Sequence, residues 1–123
     1  MTKIMVVDDE KDFREMLDIM IKNEGYDTEI AVDGSDFLEK VDGFNPDIVT
    51  LDVMMPGLTT WEILGRLKEK KSNPKIILVT IVRFTEKEKK NLYKAANVVG
   101  YIKKPFEIDN LSNEIKKSLK TNH

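Results

Sequence analysis

Three carboxylates, a hydroxyl and an ammonium stand out as chemically useful: Asp8, Asp9, Asp52, Thr80 and Lys104, each at the end of a short apolar run or just after one. Three aspartates brought to within ~4 Å would repel by about 4 kcal/mol per pair at an effective dielectric of 20, so such a cluster either takes up protons or recruits a cation. Oxygen ligands without histidine or thiolate favour a hard divalent ion. Mg²⁺ fits best, because it keeps several waters and is often held by one or two carboxylates plus phosphate oxygens; zinc is a poor match. With Mg²⁺ and a lysine ammonium neutralising the equatorial oxygens of an incoming phosphoryl group, an ionised aspartate is left to attack phosphorus in line. That chemistry depends chiefly on positioning.

Positioning requires elements that end together. Runs rich in β-branched residues at 3–7, 28–32, 47–51, 75–80 and 99–103 are predicted as buried strands. Between them the apolar residues fall at helical spacing. Phe13, Met16, Leu17, Met20 and Ile21 form a first stripe ending before Gly25; a second helix starts near Ser35 with Phe37, Leu38 and Val41. Trp61, Leu64 and Leu67 mark a third, Leu92, Ala95 and Ala96 a fourth, and Ile108, Leu111, Ile115 and Leu119 a fifth. Thr59 with Glu62 and Thr85 with Glu88 have the capping-box pattern, and all four prolines fall between the proposed elements. Alternating strands and helices imply an α/β fold, a doubly wound five-stranded parallel sheet in the flavodoxin-like order 2-1-3-4-5 with helices on both faces. Ligands of such sheets sit beyond the carboxyl ends of the strands, where Asp8-Asp9, Asp52, Thr80 and Lys103-Lys104-Pro105 would converge on one rim.

Composition narrows the function. The 123 residues suit one domain, 1–123, and 41% apolar with 34% charged residues is an ordinary globular mixture. A net charge of -2 offers no broad positive field for nucleic acid. The absence of cysteine excludes disulfides and thiolate metal sites, and no apolar run approaches the ~20 residues of a membrane span. A cytoplasmic protein is expected, since the N-terminus lacks the pattern of a signal peptide. Six glycines form no phosphate-cradling loop, which weighs against nucleotide or flavin binding.

The motifs Val6-Val7-Asp8-Asp9-Glu10, Leu51-Asp52-Val53-Met54-Met55-Pro56-Gly57, Leu78-Val79-Thr80 and Tyr101-Ile102-Lys103-Lys104-Pro105-Phe106, in this order, resemble those of response-regulator receiver domains of the CheY-like kind. The resemblance covers nearly the whole chain. It implies that Asp52 is the phosphoacceptor, that Asp9 binds Mg²⁺ directly with Asp8 assisting, and that Met54 supplies a backbone carbonyl ligand. Lys104 would contact the phosphoryl group, across an expected cis peptide to Pro105. Thr80 would swing its hydroxyl onto a phosphoryl oxygen and let Tyr101 rotate inward, reshaping the face of helix four, strand five and helix five. The implied partners are a histidine kinase and an effector on that face, with a monomer or weak phosphorylation-dependent dimer and no activity beyond self-phosphorylation and dephosphorylation. A stand-alone receiver with no output domain after helix five is expected, so chemotaxis is the implied setting, with a flagellar motor switch or an archaellum adaptor as target; a phosphorelay intermediate is the alternative. A Mg²⁺-dependent aspartate phosphatase, a different class, lacks its Asp-x-Asp motif because position 10 is Glu10.

Plainer readings stand beside these. Asp8-Asp9 alone suits a helix cap, Thr80 a strand-end hydroxyl on backbone, and Tyr101 core packing. Trp61, Met16, Met20, Met54 and Met55 are predicted to pack structurally, Glu86 to Lys90 to form a solvated helix face, and terminal His123 to carry no chemistry. The chain also departs from the family pattern. Ile81 replaces a small residue and narrows the approach to the site, Thr59-Thr60 replace Asp-Gly, and Asn97 replaces a glycine, predicting a left-handed turn there. Met54 and Val82 are apolar at positions that influence loss of the phosphoryl group, predicting a long-lived phosphoaspartate.

Overall fold

The computed structural model describes residues 1–81 and 84–120. Val82 and His123 therefore lie outside the described residues. The ten elements alternate as β1 (Lys3–Val7), α1 (Lys11–Asn23), β2 (Asp27–Ala31), α2 (Gly34–Phe44), β3 (Ile48–Asp52), α3 (Thr60–Leu67), β4 (Lys75–Thr80), α4 (Glu86–Ala95), β5 (Val98–Lys103) and α5 (Ile108–Lys120). All strand pairs are parallel, in the order β2-β1-β3-β4-β5, as the alternation and its connection rules require.

Strand residues divide between two cores by alternation. Met5, Val7, Val49, Leu51, Ile76 and Leu78 face α2, α3 and α4, whose Phe37, Val41, Ile63, Leu64 and Leu92 complete one cluster. Ile4, Val6, Ile48, Ile77 and Ile102 face α1 and α5, meeting Leu17, Ile21, Leu111 and Ile115. With both faces covered, β1, β3 and β4 are almost entirely buried, which is why they read as continuous apolar runs.

Local chemistry sets the boundaries. Asp33 caps α2 by accepting from the Asp36 amide at 2.8 Å, and the Asp36 carboxylate accepts from the Val32 amide at 3.0 Å. Val32 is thereby drawn from the ladder, so β2 ends at Ala31, one residue before the predicted end. Both capping boxes form, with Thr59 and Thr85 hydroxyls each accepting from the N3 amide at 3.1 Å and the glutamates answering at 3.1 and 3.0 Å.

Two expectations need correction. Asn97 is not in a left-handed turn: among the described residues the positive-φ residue other than glycine is Asn45, at φ 52, closing α2. At the end of α4 the chain turns through extended Ala96, and the Asn97 carbonyl accepts from the Ile76 amide at 2.8 Å, so the strand ladder claims this residue. Nor do the large side chains all pack. Met55 rests on the core, but Trp61, Met54 and Met16 are 52%, 55% and 43% exposed. On α3 the buried face is Ile63, Leu64 and Leu67, which turns Trp61 to solvent.

Candidate functional site

Strand register places the functional side chains. Asp52 ends β3, Thr80 ends β4, and Asp8 follows β1, its amide still bonded to the Ala31 carbonyl of β2 at 3.2 Å. Crossing from β4 to β5, Thr80 pairs with Lys103, and the Lys104 amide donates to the Thr80 carbonyl at 2.7 Å. The Lys104–Pro105 peptide is cis, as expected. The β3–α3 connection turns away from the site through Pro56 and Gly57, whose φ of +92 suits the residue without a Cβ.

Asp8, Asp9 and Asp52 each offer an oxygen within 4.8 Å of the others. Asp8 and Asp52 are buried, whereas Asp9 is exposed. The Asp8 carboxylate accepts from the Glu10 amide at 2.9 Å and from the Lys104 ammonium at 3.1 Å. Asp52 accepts from the Met54 amide at 2.9 Å and lies 3.5 Å from the same ammonium. Lys104 thus bridges two acids, its charge also standing 3.9 Å from the centre of the Phe13 ring. Desolvation pushes the Asp52 carboxyl above its ordinary value; the Met54 amide opposes this, the Asp8 charge adds to it, and Lys104 counters it.

Three carboxylates outnumber the one ammonium that contacts them. The donor set is oxygen alone, so these residues fit a hard divalent cation such as Mg²⁺. The acids open onto a cavity of about 460 Å³ lined by Asp9, Glu10, Asp52, Met54, Ile81 and Lys104. Ile81, one of these lining residues, is 62% exposed.

The four charged residues singled out from the sequence come together, and Thr80 adjoins them through the backbone while being wholly buried. Tyr101 does not join the acids. It is half-buried beside α4, its hydroxyl accepting from the Phe84 amide at 3.3 Å, with Phe84 edge-on at 5.6 Å and the Lys89 ammonium 5.0 Å over its ring. Two contacts went unforeseen. Phe13 was read only as part of an apolar stripe. Arg14, now 9% exposed, donates to the Asp8 carbonyl at 2.9 Å; its signal was a charge in register with Leu17 and Ile21, on the face that should be apolar.

Comparison with known proteins meets this geometry from another side. Residues 4–116 match the family model for the response regulator receiver domain. The response regulator ArlR of Staphylococcus saprophyticus is 32% identical over 120 residues, 98% of this chain and 53% of the relative, so the chain spans about half the length of that curated relative. Among solved structures, Vibrio cholerae chemotaxis protein CheY4 superposes with a TM-score of 0.82 at 30% identity, covering 96% of this chain and 98% of that one. Thermotoga maritima TrrA, solved with Mg²⁺ and BeF, gives 0.79 at 36% identity over 96% and 99% of the two chains. TrrA in complex with the histidine kinase ThkA gives 0.80, at 36% identity over 97% and 99%. With the sheet order, the acid cluster and the match over nearly its whole length in agreement, this chain belongs to the response regulator receiver domain family.

Proposed function

We propose that this receiver, a signalling domain, takes a phosphoryl group onto Asp52 from the phosphohistidine of a kinase, with Mg²⁺ held by Asp8, Asp9, Asp52 and the Met54 carbonyl. The convergence of three carboxylates at the strand ends, two of them on one ammonium, carries this reading. In the transfer an Asp52 oxygen forms the new O–P bond as the P–N bond breaks; the electron pair returns to the imidazole, which takes a proton from solvent. The cation, when bound, supplies positive charge against the phosphoryl oxygens. Lys104 supplies the remaining charge from a position already beside Asp52, and its grip on Asp8 keeps it there. Burial of Asp8, Asp52 and Thr80 limits competing water, which strengthens each of these interactions.

Thr80 would then donate its hydroxyl to a phosphoryl oxygen, and Tyr101 would leave its contacts with Phe84 and Lys89 to turn inward. The outcome is a changed α4–β5–α5 face for a partner, a local bond biasing a two-state arrangement. Likeness to a kinase-bound receiver, TrrA, supports the donor, and likeness to CheY4 supports motility control as the pathway, the effector being a motor switch or an archaellum adaptor. No helix among the described residues is long and apolar enough to cross a membrane; a cytoplasmic site of action is part of the proposal.

The test is Mg²⁺-dependent labelling by a phosphorylated histidine kinase. A kinase is the donor of choice because it is the donor that the reading itself names. Wild type is expected to take label, and Asp52→Asn or chelation of Mg²⁺ to abolish it. Equal labelling of Asp52→Asn would overturn the assignment.

A further inference from the structure

Arg14 is a buried cation that makes no salt bridge among the described residues, although the Asp36 carboxylate on α2 feels its charge. Arg14 is 9% exposed, its Nε is buried with no hydrogen-bond partner in the protein, and among the described residues its side chain has one acceptor, the Asp8 carbonyl at 2.9 Å. One neutral acceptor, with the Asp36 charge outside hydrogen-bond contact, offsets only part of the cost of desolvating a guanidinium, so packing alone is a weak reason for an arginine here.

The acceptor itself suggests the reason. That carbonyl belongs to the peptide joining Asp8 to Asp9, the two neighbouring members of the acid cluster. A hydrogen bond to it fixes the plane of this peptide, and the plane sets the direction in which the Asp9 side chain leaves the backbone. Asp8 is otherwise well anchored: its amide bonds Ala31, and its carboxylate takes Glu10 and Lys104. Asp9 is exposed and depends on its backbone for orientation. We infer that Arg14 is a positioning residue of the cation site, holding the Asp8–Asp9 peptide so that both carboxylates present their oxygens to one Mg²⁺. This rests on the Mg²⁺ reading proposed above.

Charge alone predicts the opposite of this inference. A guanidinium near the acids repels a cation, so its removal should tighten Mg²⁺ binding if electrostatics were its main effect. The test is Mg²⁺ titration by calorimetry on folded wild type, Arg14→Met, Arg14→Gln and Arg14→Lys. Outer-shell contacts of this kind change metal affinity by at least about tenfold, so Arg14→Met is expected to weaken Mg²⁺ binding by about that factor. Arg14→Gln, too short to span the gap, should follow it and serves where Arg14→Met does not fold. Arg14→Lys, which keeps a long donor, should recover most of the affinity. A second readout needs no metal: the Asp9 amide nitrogen shares the gripped peptide, and its NMR shift should move upfield when the carbonyl loses its donor. Unchanged or tighter Mg²⁺ binding in the Met and Gln variants, or an unmoved Asp9 nitrogen, would overturn the inference. Wild type that binds no Mg²⁺ would instead sink the reading beneath it.

Discussion

Met54 shows how a single side chain can tune a shared chemistry. Its amide is committed to Asp52 at 2.9 Å, while its side chain, 55% exposed, lines the cavity from which water would attack a phosphoaspartate. A thioether orients no water. Introducing polar groups at both positions, as Met54→Asn with Val82→Glu, is expected to shorten the phosphoaspartate lifetime by about a factor of ten, short of the hundredfold of a fully positioned general base. Timed loss of label after removal of the kinase measures it, and an unchanged lifetime would refute the role. The acids, lysine and threonine of the site were legible in the sequence because each sits at a strand end, where the chain must stop and a polar side chain is affordable. Arg14 and Phe13 were not. Their contacts depend on how α1 leans against the Asp8–Asp9 turn, and no one-dimensional pattern encodes that approach.

At the scale of elements, α4 is the least anchored helix of the fold. Leu92 is its one buried residue, and most of its surface is charged. Its start therefore leans on the Thr85–Glu88 capping box. Thr85→Ala is expected to cost about 1 kcal/mol in denaturant unfolding, with amide exchange accelerating in α4 before the other helices. The cap also has a pH signature. Hydrogen bonds from the Thr85 backbone and side chain hold the Glu88 carboxyl below its ordinary 4.5, so its contribution is present above that value and fades as pH falls through the lowered one. Both capping boxes were visible from spacing because a cap is a local device, settled within four residues. The exposed Trp61 and the hydrogen bond that the Asn97 carbonyl accepts from Ile76 were not visible, because packing across α3 and pairing between β4 and β5 decide them over long sequence distances. The sheet order was recoverable for another reason: parallel crossovers leave few topologies to choose among.

Across the whole molecule, the acid cluster sets a conflict between folding and function. Burial raises the Asp52 carboxyl above 3.8, so the folded state holds its proton more tightly than the unfolded chain. Without a cation, the resulting stability is present below 3.8 and is lost as pH rises through the raised value. A divalent ion reverses the balance, because it binds the ionised acids of the native state and finds no assembled site in the unfolded chain. At pH 7, Mg²⁺ at a hundred times its dissociation constant is expected to add about 2.7 kcal/mol, a rise in melting temperature on the order of 10 °C. At pH 3, below the raised value at which Asp52 ionises, the same addition should do far less. Asp52→Asn removes the buried charge and should melt higher than wild type in metal-free buffer at pH 7, yet gain far less from Mg²⁺. Thermal melts of both proteins over this pH range, with and without the ion, separate the two effects: equal Mg²⁺ gains in wild type and Asp52→Asn would mean that the ion binds elsewhere.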